Sequence, residues 1–277
     1  MRVADARQRC LVLALSLAAV PLIAVPSAVA HAQLSLAPSR PSGQTVTPVF
    51  EGWYRNTDGS YSLSFGYYNR NTAEHMDVPI GSDNFVAPGA ANQGQPSSFA
   101  PRRQWGVFAV VVPADFGTRQ VVWTVNDRGQ TFAIAGSLKP DWEIDAVQGE
   151  ASSNNTPPAL RFVDAGPEGR GPFGVTGNPM RTRVGAPLAL SVVVTDDAKT
   201  KAPVDLTWFK HQGPGAVAFS ARTTRLTPSG GTGATTATFS RAGEYLVRVR
   251  ANDLSAVTAG HAQCCWTNGF IPVTVTP

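Results

Sequence analysis

His261-Ala262-Gln263-Cys264-Cys265 is the densest cluster of metal-ligating residue types in the sequence. One imidazole and two thiolates at this spacing suit zinc or copper, because soft sulfur ligands favour those ions. A fourth ligand, which a structural zinc site normally has, is not evident. Other readings of Cys264 and Cys265 stay open: a vicinal disulfide that stiffens the loop, two buried free thiols, or pairing between chains. Trp266 is expected to anchor the loop on the folded body. A second candidate site is aromatic. If Tyr54 and Tyr68 face away from the core, they can stack on a sugar or peptide, with Asn69 and Arg70 as a polar rim. The alternative is that these aromatics are core. Asp141, Glu143 and Asp145 would share one face of a short strand, either as a cation site or as a solvated edge that discourages aggregation. His75, in a polar loop beside Met76, reads as a surface residue. No nucleophile elbow, zinc-protease helix, phosphate loop or dinucleotide fingerprint is present, so the chain carries no recognisable catalytic motif. The spacing of a glycosidase carboxylate pair exists only in three dimensions.

The elements that must position these residues are strands. Apolar residues alternate with polar ones at a period of two, and no segment sustains helical periodicity. In the first half the pattern predicts strands over 50–55, 61–68, 105–112, 119–126, 130–138 and 141–145. The run 105–112 is nearly continuous in apolar residues and is expected to be buried on both faces. Asn56-Thr57-Asp58-Gly59 is a hairpin turn, since Asp-Gly tolerates positive φ. Residues 71–103 are rich in Gly, Pro, Asn and Gln and too long for a simple connection; they form a packed loop set or a binding surface. Residues 148–158 have the composition of a linker. In the second half strands are expected over 160–163, 188–195, 204–210, 234–240, 243–253 and 270–276. The clearest is 243–253, where Tyr245, Val247 and Val249 face one way and Leu246, Arg248 and Arg250 the other, the pattern of a half-buried strand.

Gly243-Glu244-Tyr245-x-Val247, Trp208 and Asp253 carry a family resemblance. Residues 188–276 resemble polycystic-kidney-disease (PKD) type domains, a branch of the immunoglobulin-like sandwiches. The resemblance implies a buried Trp208 on the third core strand and Tyr245 as a tyrosine corner. It also implies a role in binding or spacing. The inter-sheet disulfide of antibody domains is absent: Val192 or Val194 and Val247 stand in its place. Such a topology brings Asp196 and Asp197 to the same pole as Asn252 and Asp253. Their oxygens then form a candidate Ca²⁺ site, against the alternative of ordinary strand-ending residues.

The first 32 residues read as a secretory signal. Arg2, Arg7 and Arg9 precede the apolar run 11–25, and small residues allow cleavage after Ala30 or, preferably, after Ala32. Removing three arginines and Asp5 lowers the net charge from +4 to +2. The basic residues are scattered, which argues against nucleic acid as a partner. The sequence therefore predicts an all-β protein of two β-sandwich domains, the second immunoglobulin/PKD-like. The boundaries are signal 1–32, leader 33–47, sandwich 48–147, linker 148–158 and sandwich 159–277. Its expected role is non-catalytic binding or structure in the bacterial periplasm, at the cell surface or outside the cell. No cofactor is predicted beyond the Ca²⁺ and Zn/Cu candidates, no membrane span remains after cleavage, and the partner is an envelope protein or a glycan. A carbohydrate- or metal-binding accessory module is the second reading, and a hydrolase the third.

Overall fold

The computed structural model describes residues 39–150, 153–162, 166–253 and 264–277. The first half contains β1 (Val46–Arg55), β2 (Tyr61–Asn69), β3 (Met76–Asp77), β4 (Asn84–Ala87), β5 (Ser98–Phe99), β6 (Arg102–Val112), β7 (Val121–Asp127) and β8 (Gln130–Gly136). An antiparallel sheet β1-β2-β6 faces a second sheet β4-β7-β8, and β3-β5 form a short ribbon beside them. Aromatic rings fill the space between. Phe65 stacks on Phe108 at 5.3 Å, and Phe108 meets Trp123 edge-on at 5.0 Å. Such tilted and edge-on pairs contribute beyond their buried area. The Trp123 indole donates to Asn84 Oδ1 at 2.9 Å, and Asn84 donates in turn to the carbonyls of Val78 and Pro96. One buried amide thus ties the irregular 71–103 segment to the core. Residues 106–110 of β6 are all buried, in line with their apolar run.

The run 141–145 is not a strand. Pro140 starts a 3₁₀ turn (Pro140–Trp142), as its fixed φ and missing N–H favour. Beyond the turn, Ile144 N–H donates to Trp53 O at 2.9 Å. Asp141, Glu143 and Asp145 are exposed, and no strand aligns them into a ladder.

The second half contains β9 (Ala159–Phe162), β10 (Val175–Thr176), β11 (Met180–Arg183), β12 (Leu188–Thr195), β13 (Asp205–Gln212), β14 (Val217–Phe219), β15 (Thr223–Arg225), β16 (Gly230–Phe239), β17 (Gly243–Asn252) and β18 (Trp266–Thr276). One sheet has the order β14-β16-β12-β9 and the other β10-β18-β17-β13-β15, with β11 also paired to β18. This is an immunoglobulin-like arrangement: β9, β12, β16 and β14 stand as the A, B, E and D strands, and β13, β17 and β18 as C, F and G. Trp208 is fully buried between the sheets and stacks on Phe219 at 6.5 Å. Tyr245 donates its hydroxyl to Arg241 O at 2.8 Å, four residues upstream at the mouth of β17.

β17 departs from the half-buried pattern. Tyr245, Val247, Val249 and Ala251 enter the sandwich core. The opposite face is also covered: Arg248 is 2% exposed and Asn252 is buried. The first half packs against this outer face, and residues 39–277 form one compact unit around two hydrophobic cores. Gly106 of β6 makes one close approach. Its carbonyl accepts from Asn268 Nδ2 at 2.7 Å and from Trp266 Nε1 at 3.3 Å. With φ of 41°, a Cβ there would lie 2.5 Å from the Trp266 ring. Within 148–158, Glu150 and Asn155 are buried and joined by a 2.8 Å backbone bond.

Three substitutions test this account by denaturant unfolding. Trp208→Ala is expected to cost about 3–5 kcal/mol, the range for an emptied aromatic core site. Tyr245→Phe is expected to cost about 1 kcal/mol, for one lost hydrogen bond; an unchanged midpoint would show that the corner bond is idle. Gly106→Ala is expected to cost about 1–3 kcal/mol through overpacking against Trp266.

Candidate functional site

A cleft of about 430 Å³ opens where the two halves meet. One wall comes from the 71–103 segment, through His75, Asp77 and Ser98; the other comes from Phe209, Lys210, Arg222 and Arg248. Register explains the second wall. Phe209 on β13 lies directly opposite Arg248 on β17, on the face turned away from the sandwich core. Arg250 follows two residues along the same face.

Three guanidinium groups gather on one ring. The Cζ atoms of Arg248, Arg222 and Arg250 lie 4.3, 5.7 and 5.7 Å from the centre of Phe209. Cation–π attraction is favourable at these distances. Arg248 Nη1 also donates to Asn268 Oδ1 at 3.2 Å. The buried Nε atoms of Arg248 and Arg250 have no hydrogen-bond partner, and among the described residues no carboxylate forms an ion pair with Arg222, Arg248 or Arg250. Burial, and then the charge of Arg250, push the Arg248 guanidinium down to about 9, so it remains charged at neutral pH. Burial lowers Arg250 as well. Asp77 does not neutralise the cluster, because Lys210 holds it at 2.9 Å.

The neighbouring titratable groups are neutral near pH 7. Burial, reinforced by Arg222 and Lys210 against Asp77, lowers His75 below its ordinary 6.5. His211 is driven down to about 3 by burial and by Arg248, against a 2.7 Å bond between Nε2 and Gly94 O. Tyr67 is raised to about 12 by burial, and its hydroxyl accepts from Ala100 N–H at 2.8 Å. No hydrogen bond from His75 to a carboxylate or hydroxyl is present among the described residues.

The aromatic platform does not form. Tyr54 is 2% exposed, because the second half packs over it and Phe173 N–H donates to its hydroxyl at 3.0 Å. Asn69 is fully buried and donates to the carbonyls of Glu74 and Phe99. Tyr68 is partly exposed under Arg102, and Arg70 is exposed, donating to Thr45 Oγ1 and covering Phe132. The four residues share no open face.

The strand-end acids do come to one pole. The carboxylate of Asp197 accepts from Thr156 and Lys199 N–H, and Asp196 accepts from Ala198 N–H. Burial raises the Asp196 carboxyl. Asp253 is fully buried and accepts a short hydrogen bond from Asn155 Nδ2, while Asn252 pairs with Trp266 and Asp205 across the sheet. Cys264 and Cys265 are joined by a disulfide, and their sulfurs lie 3.5 and 3.2 Å from Asn155 O. His261 lies outside the described residues. Among the described residues no three His, Cys, Asp or Glu side chains are placed to hold a metal ion.

The cleft residues Phe209, Lys210, Arg222 and Arg248 escape sequence reasoning, because an arginine opposite the apolar face of a strand has the pattern of a solvated residue. The only local signal is Arg248 and Arg250 repeating on one face.

No protein-family model matches the chain, and no curated protein matches it. Among solved structures, the chain is similar to domains 4 and 5 of the S-layer protein SbsC at 10% identity, over 62% of this chain and 71% of that one, with a TM-score of 0.27. It is similar to the D00-D0 domain of intimin at 11% identity, over 83% and 100%, with a TM-score of 0.28. It is also similar to CfaE, the adhesive subunit of the CFA/I fimbria of enterotoxigenic Escherichia coli, at 7% identity, over 87% and 82%, with a TM-score of 0.26. Scores this low carry no argument about function. Among the described residues, no helix is long and apolar enough to cross a membrane.

His211 yields a pH prediction. Its folded-state pKa of about 3 lies below the ordinary 6.5, so in acid the unfolded chain takes up a proton that the folded chain refuses. Stability should fall as pH drops from about 6.5 toward 3, with a contribution from this residue of up to about 1.4 kcal/mol per pH unit. In His211→Gln the acid loss should be shallower. Parallel profiles would show that His211 is protonated in the folded state.

Proposed function

We propose that this chain is an exported, non-catalytic binding protein and that the cleft between its two sandwiches is where it binds. The observation that carries the reading is the cleft's construction. Its walls come from both halves, and it concentrates charge that the protein itself does not neutralise. Its volume falls in the range of small-ligand sites. In this reading the chain has two domains, 48–147 and 159–277, each built around one of the two cores. The buried Trp208 and the Tyr245 hydroxyl bond support assigning the second to the PKD type. Export rests on the basic and apolar N-terminal segment followed by small residues. The partner is an envelope component, a protein or a glycan.

Two measurements test the reading. Fractionation with N-terminal sequencing is expected to find the protein outside the cytoplasm, starting at Gln33; retention in the cytoplasm with Met1 intact overturns export. Binding of labelled protein to envelope fragments is expected to fall about tenfold or more in Ala218→Trp, which places an indole in the cleft and removes most of its contact energy. Equal binding by this variant overturns the cleft as the site.

A further inference from the structure

We propose that the cleft binds an oxyanion, a carboxylate, sulfate or phosphate group, carried on an apolar body. The proposal rests on the reading of the cleft as a binding site and adds the chemistry of its ligand. Every charged group facing the cleft enters the balance. Arg222, Arg248 and Lys210 bring positive charge, and Asp77 is the one acid among the lining residues. Lys210 and Asp77 cancel as an ion pair at 2.9 Å. Arg222 and Arg248 remain, and Arg250 adds a third charge on the same ring, offset in part by Asp205, which Arg225 holds at 3.0 Å.

Arg103 shows how a carboxylate can balance an arginine held on an aromatic ring in this protein. Arg103 is also held against an aromatic ring, with Cζ 3.9 Å from the centre of Trp105. It donates to both oxygens of buried Glu51, at 2.7 and 2.6 Å. Arg248 is more deeply buried, and its Nε–H has no acceptor among the described residues. A guanidinium presents several N–H donors in a plane, the geometry that oxyanions accept from in pairs. Beside the polar His75, Ser98 and His211, the lining carries apolar surface: Val107 on one side and Val217, Ala218 and Phe219 on the other. A bare inorganic ion would leave that surface wet, whereas an acid with an apolar body covers it.

Calorimetric titration at constant ionic strength in chloride tests this, using benzoate, phenyl phosphate, benzyl alcohol, inorganic phosphate and the peptide acid acetyl-Gly-Phe. Benzoate or phenyl phosphate is expected to bind with one-to-one stoichiometry. Benzyl alcohol and inorganic phosphate should each bind about tenfold more weakly, one lacking the charge and the other the body. Arg222 is exposed, so Arg222→Gln should keep the fold and lose about tenfold in benzoate affinity, as expected for a lost charge-assisted contact. Arg248→Met should abolish binding while the unliganded protein unfolds no more easily than the wild type, because it removes an uncompensated buried charge. Preference for acetyl-Gly-Phe over benzoate supports the carboxyl end of a polypeptide as the natural ligand; the reverse supports a free acid. Benzyl alcohol binding as tightly as benzoate, with loss in Ala218→Trp, keeps the cleft as a site and overturns the oxyanion. Anion binding that is unchanged in Arg222→Gln and Ala218→Trp overturns the proposal, as does the absence of saturable binding by every anion.

Discussion

Arg248 is a positive charge placed between two β-sandwiches, its guanidinium bonded among the described residues to one amide oxygen, and the join of the two halves is organised around it. Asn268 accepts from Arg248 through its side-chain oxygen and donates through its nitrogen to the carbonyls of Gly106 and Pro172. Gly106 in turn receives the indole of Trp266. A single amide therefore links the arginine-bearing strand β17 of the second half to the edge strand β6 of the first. The magnitudes show that this is not an arrangement for stability alone. Stacking of a desolvated guanidinium on an aromatic ring contributes about 2 kcal/mol. Withdrawing such a charge from water costs several kcal/mol unless a counter-charge compensates it.

How the chain is to be read from sequence follows from what is local and what is not. The alternation over 243–253 identifies β17 to within one residue, and Tyr245 stands where its hydroxyl can reach back to Arg241, because both depend on neighbours along the chain. The fate of the other face of β17 depends on residues more than a hundred positions away. Ser97 and Gln95 meet His211 and Gln212 by hydrogen bonds, and nothing in the alternation announces them. Tyr54 is hidden in the same way, by Phe173. Within 71–103, β3 and β5 are two residues each, too short for a period of two to be visible. Pro140 carried a signal that the alternation over 141–145 obscured: a proline at the first position sets a turn before the apolar residues can pair.

The pole holding Cys264 and Cys265 shows the opposite use of polar groups. Asn155 contributes its amide to Asp253 and its carbonyl to the paired sulfurs, and Thr156 hydrogen-bonds Asp197. These strand ends satisfy one another through Asn155 and Thr156, in the stretch between the halves that has a linker-like composition. Along β17, hydrogen-bonded Asp253 at the strand's end and arginines without an ion pair among the described residues on its outer face make neighbouring stretches of one strand chemically unlike.

That contrast bears on why the cleft belongs to neither sandwich. Arg222, Phe209 and Arg248 alone would form an exposed basic patch on an immunoglobulin-like sheet, in water and screened by salt. Packing the first half over Phe209 and Arg248 withdraws these two from water, holds Arg248 in place through Asn268 and Gly106, and adds Val107 and the His75 segment as a second wall, while Arg222 stays exposed. The lower dielectric raises the strength of any contact made there. A ligand in this position touches both halves at once, so its binding energy also acts across the join. The charge that weakens the interface between the sandwiches is then the charge through which an acidic ligand would strengthen it.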